Sequence, residues 1–138
     1  MPVATGGDGA ACPAARDGRW SADWPDHETY DLGPPSIAWS SWHIIFWWSM
    51  ALDHNVGPGR LARDDVAWPG DADGVHAAIE QLHARWEAVL TSADLDAPSR
   101  WPFADRSLAD VAGWANLELM KNAAEIGYAR FLYGVREA

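Results

Sequence analysis

The order of apolar and polar positions divides the chain into an irregular lead-in and three helical stretches. Residues 1–35 are dense in Gly, Pro, Asp and Ala and end on Pro34-Pro35. They carry no sustained helical or strand period, and the proline pair halts regular structure. Ser36 then stands where a helix N-cap belongs, and Ile37 to His54 contains neither Gly nor Pro. A helix over 36–54 is predicted, ended by Gly57-Pro58-Gly59. Between 71 and 92 the apolar residues Val75, Ile79, Leu82, Trp86 and Val89 recur at alternating spacings of four and three, one stripe of an amphipathic helix. Residues 93–106 carry two prolines and several turn formers and read as a loop. Ser107-Leu-Ala-Asp110 resembles a capping box, and the helix it opens can run to about Arg136, through Gly113 and Gly127. The expected class is all-α, an up-down helical bundle over 36–138 behind an irregular segment 1–35.

Composition adds one unusual feature. Ten tryptophans against three Phe and three Tyr supply large rigid apolar surfaces, and each buried indole N–H needs an acceptor. The run Ser36–Leu52 is uncharged but contains four serines and His43, and it is shorter than the ~20 apolar residues of a membrane span. It reads as a buried helix, so no membrane partner is expected. A formal net charge of -10 repels phosphate backbones, which disfavours nucleic acid as a partner. The single cysteine, Cys12, excludes an internal disulfide, and the start of the chain lacks the pattern of a signal peptide; a cytoplasmic location is expected.

The candidate chemistry lies on the last helix. At 100° per residue, Glu118, Asn122 and Glu125 fall on one narrow face together with Val111 and Trp114. An inward carboxylate is costly unless it is paired, hydrogen-bonded or metal-bound. The first helix offers a counterpart, because His43 shares a face with Trp39, Phe46, Trp47 and Met50. If the two faces meet, His43 sits against Glu118 and Asn122, in a polar pocket lined by Trp39, Trp47 and Trp114. His54 lies three turns further on, roughly 16 Å away at the helical rise, and cannot share the site. Two readings stay open at this point. The group is a functional pocket, or it is a satisfied structural network in which Lys121 and Trp indoles supply the partners. His27, His76 and His83 are expected in solvent, and Cys12 has no visible base to activate it.

Two stretches, Ser36-Ile-Ala-Trp-Ser-Ser-Trp-His-Ile44 and the helix from Trp114 to Tyr133, resemble the DinB-like superfamily, particularly its actinobacterial branch. In that family a Trp-x-x-x-His stretch supplies one metal ligand and a His-x-x-x-His pair on the last helix supplies two more. Trp39 to His43 matches the first pattern, whereas Glu118 and Asn122 stand where the two later histidines are expected, followed by Glu125-Ile126. The resemblance implies a metal site at His43, Glu118 and Asn122. A His/Glu/Asn set is harder than three histidines and favours manganese, iron or magnesium over zinc or nickel. It also implies enzymes that use low-molecular-weight thiols in transferase or isomerase chemistry, with the metal lowering the thiol pKa and Glu125 accepting a proton. With two ligands replaced, the preferred expectation is a degenerate, non-catalytic bundle that binds a small ligand or a partner and holds no metal; the alternative is the metal- and thiol-dependent enzyme. The resemblance implies a further helix at the start of the bundle, which residues 1–12 cannot form at useful length; the first helix is therefore expected to be short or missing, with a late start of the chain, a three-helix bundle or a partner over the open face as the alternatives. Covering the Trp-rich face left open would then call for a homodimer.

Overall fold

The computed structural model describes residues 17–24 and 34–136. Cys12 and His27 lie outside the described residues. Among the described residues three helices form the fold: α1 (Ile37–Val56), α2 (Ala72–Ser92) and α3 (Leu108–Arg136), with a short 3-10 turn at Arg63–Asp65 between the first two. The class is all-α, and among the described residues extended pairing is confined to two isolated bridges, Trp20 with Trp68 and Pro98 with Ser107.

Each helix starts where a side chain can satisfy its orphan N–H groups. The Ser36 hydroxyl accepts from the Trp39 amide at 3.0 Å, and the Asp71 carboxylate accepts from the Gly74 amide at 2.7 Å. Ser107 and Asp110 close a reciprocal box: the Asp110 amide donates to the Ser107 hydroxyl at 3.1 Å and the Ser107 amide donates to the Asp110 carboxylate at 3.0 Å. At its other end α1 stops at Gly57, and Gly59 adopts a left-handed backbone with φ +67°, which glycine accepts without strain. The Asp53 carboxylate accepts from the amides of Arg60 and Leu61 at 2.7 and 2.8 Å and so folds the exit loop back.

Helix α1 is the centre of the molecule. Eight consecutive residues, Trp39 through Phe46, are buried, which a helix permits only when neighbours cover it all round. Helices α2 and α3 both pack on α1, and their contact with each other is slight. The described part of the lead-in covers another side: Trp20 meets Trp68 edge to face at 5.6 Å, and Trp24 lies against Trp42 and Phe46. Of α2, only Leu82 and Trp86 are fully buried. The indole of Trp42 is buried and donates to the Val66 carbonyl at 2.6 Å, tying the loop before α2 to the core. No helix among the described residues is long and apolar enough to cross a membrane.

Candidate functional site

Helices α1 and α3 run antiparallel, and their seam brings the polar line of α3 against α1. Reading along it, the Ser40 hydroxyl donates to Glu125 Oε2 at 3.4 Å, and His43 Nδ1 meets Asn122 Oδ1 at 3.1 Å. Further on, the Trp48 indole donates to the Ala115 carbonyl at 3.2 Å, and Trp47 stands edge to face with Trp114 at 4.9 Å. Asn122 is fully enclosed and His43 nearly so.

The hydrogen bonds fix the protonation of this pair. Asn122 Nδ2 donates to the Glu118 main-chain carbonyl at 2.7 Å, which can only accept, so the amide nitrogen is committed there and Oδ1 faces the imidazole. His43 Nδ1 must therefore carry the proton, leaving a lone pair on Nε2. Burial pushes the imidazole pKa from 6.5 down to about 4, against the bond from Asn122, and the Lys121 ammonium pushes the same way as burial. His43 is a neutral donor at neutral pH.

Glu118 takes a different place from the one its helix face suggests. Its main chain joins the network, but its carboxylate lies at the rim, 3.5 Å from Lys121 Nζ. The geometry there is an ion pair without a hydrogen bond, and the shielded Oε2 has no hydrogen-bond partner. Glu125 is half-buried and is met by Ser40. The pocket-lining tryptophans are placed unequally about His43: Trp39 is 4.3 Å from its ring and Trp47 5.3 Å, while Trp114 reaches the group through Trp47. Trp24, Trp101 and Phe103 extend this aromatic layer toward solvent. The shielded indole N–H of Trp47 has no acceptor, an unusual state for a buried polar atom.

The remaining histidines have local explanations. His54 Nε2 bonds the Leu61 carbonyl at 2.8 Å, well away from His43. His76 and His83 are exposed beside Glu80 and Glu87 on α2. The sequence pattern left Ser40 and Trp101 unread, although Ser40 precedes His43 by three residues and so shares its helix face.

The donor set fits hydrogen bonding and does not fit a metal. Both ends of the Asn122 amide are engaged, the Glu118 carboxylate is already countered by a cation, and among the described residues no group of three His, Cys, Asp or Glu side chains could hold a metal ion. His43 Nε2 alone is free to ligate.

Residues 15–126 match the family model of the DinB superfamily. No curated protein and no solved structure matches the chain.

Proposed function

The chain belongs to the DinB superfamily, and from that premise we propose that it is a non-catalytic member that binds a small molecule or a partner, with side-chain hydrogen bonds standing where the family's metal would be. The observation that carries this reading is the contact of His43 Nδ1 with Asn122 Oδ1 at 3.1 Å, completed by Asn122 Nδ2 on the Glu118 carbonyl. A network satisfied in this way is worth more as packing than as a ligand set, because pulling Asn122 onto a metal would leave the imidazole N–H and a carbonyl unpaired. The ligand chemistry that suits the seam is a planar molecule with a hydrogen-bond acceptor. Indole faces form its walls and the Trp47 N–H is an uncommitted donor.

The alternative is a metal-dependent transferase or isomerase using a low-molecular-weight thiol. One observation favours it: an imidazole whose Nδ1–H is held by a carbonyl oxygen, with Nε2 free, is how metal-bound histidines are commonly oriented. It would need at least two further donors at Nε2. Elemental analysis of the purified protein, with thermal unfolding before and after a chelator, separates the two. The binding reading expects no stoichiometric metal and an unchanged Tm. A stoichiometric metal whose removal lowers the Tm overturns it.

A further inference from the structure

Two shielded atoms of the α1–α3 seam have no hydrogen-bond partner among the described residues: Trp47 Nε1, a donor, and Glu118 Oε2, an acceptor. The register of the seam sets them at one level. Ser40 meets Glu125 and His43 meets Asn122, so three residues forward on α1 answer to three residues back on α3. One further turn brings Trp47 level with Glu118. The ring contacts agree: Trp47 lies against His43 at 5.3 Å and against Trp114 at 4.9 Å, and Glu118 stands on α3 midway between Trp114 and Asn122, the partner of His43. The levels on either side are closed, by His43 on Asn122 and by the Trp48 indole on the Ala115 carbonyl. Between them a donor and an acceptor stay open, which costs stability that a molecule pairing both would recover.

The two atoms together select the chemistry of that molecule. A cation would satisfy Glu118 and leave the indole N–H unpaired, while an anion would satisfy Trp47 and be repelled by the carboxylate. A neutral group with a carbonyl oxygen beside an N–H serves both, and a planar one suits the indole walls of Trp47 and Trp114. We propose that the seam binds a planar neutral amide, its carbonyl oxygen accepting from Trp47 Nε1 and its adjacent N–H donating to the Glu118 carboxylate. This rests on the small-molecule reading above and names the ligand's class. Two covering side chains give way on binding. Lys121 is half-exposed and meets Glu118 at 3.5 Å without a hydrogen bond, and Trp24, 39% exposed, lies over Trp47 at 6.3 Å; exposed side chains exchange rotamers within nanoseconds.

The test is titration of the full chain with 2-pyridone, a ring that carries the carbonyl and N–H side by side. Affinity is read from the probe's own NMR signals and location from the indole N–H resonances, that of Trp47 being identified by its loss in Trp47→Phe. A roughly millimolar Kd is expected for so small a probe, together with a shift of the Trp47 resonance. Trp47→Phe keeps a ring and removes the donor, and Glu118→Leu removes the acceptor. Each should weaken binding at least about tenfold with unchanged helical circular dichroism. N-methyl-2-pyridone, whose donor is blocked, should bind the wild type at least about tenfold more weakly than 2-pyridone, and this difference should vanish in Glu118→Leu. Binding that tolerates both substitutions and leaves the Trp47 resonance in place overturns the inference and leaves the small-molecule reading standing. A metal-free chain that takes up no 2-pyridone overturns the inference as well. Failure of the reading beneath it has a different signature, a stoichiometric metal whose removal lowers the Tm.

Discussion

His43 and Asn122 hold each other in single states: the amide is oriented by the Glu118 carbonyl at 2.7 Å, and it in turn fixes the proton on His43 Nδ1 at 3.1 Å. A buried imidazole in this setting remains neutral, and protonating it would give Nε2 a charge with no acceptor.

Acid should therefore destabilise the fold above the range of ordinary carboxylates. The His43 pKa is about 4 in the folded state against an ordinary 6.5, so between those values the unfolded chain binds the extra proton. Stability is full above about pH 6.5 and falls as the pH drops toward 4, by roughly 3 kcal/mol for a shift of this size. Urea unfolding followed across that range should show the loss, and His43→Gln should flatten it. An equally steep profile in His43→Gln would assign the effect elsewhere.

Asn122→Ala removes the acceptor for His43 and the donor for the Glu118 carbonyl and leaves a cavity between α1 and α3. A cost of about 2–4 kcal/mol is expected from equilibrium unfolding. Combined with His43→Phe the two costs should sum to less than their separate values, since one network is being removed twice. Simple additivity would mean the two residues act independently.

Lys121→Ala should hardly change stability, because its pair with Glu118 is a single 3.5 Å contact from a half-exposed ammonium without a hydrogen bond, and such pairs contribute about 0–1 kcal/mol. Its effect should appear in the titration of His43, whose pKa the ammonium lowers. The imidazole resonances in NMR are expected to titrate at higher pH in the variant. A large drop in Tm would show that Lys121 has a packing role.

Glu118→His combined with Asn122→His places three imidazoles on the seam. That variant is expected to take up zinc or nickel stoichiometrically and to gain Tm on doing so, while the wild type does neither. Failure of the double variant to bind metal while folded would indicate that the helices stand too far apart for ligation.

The helices were legible because their ends are written in short-range chemistry. Ser36, Ser107 and Asp110 act on amides within three residues of themselves, a distance that sequence alone resolves. The inward polar line was legible from the helical period, and so was its meeting with His43. Which group meets which was not. Glu118 and Asn122 share a face, yet Asn122 is enclosed against His43 and the Glu118 carboxylate turns to Lys121, a difference that the helical period does not resolve.

Helix α1 is shared by two elements that hardly touch each other. The molecule is thus two leaves on one spine, and each leaf can lift without asking the other. Amide hydrogen exchange should reveal α2, which buries only Leu82 and Trp86 fully, opening on its own while α1 and α3 stay closed. Slowest of all should be the amides of Trp42 to Phe46, which become reachable only when both leaves have gone.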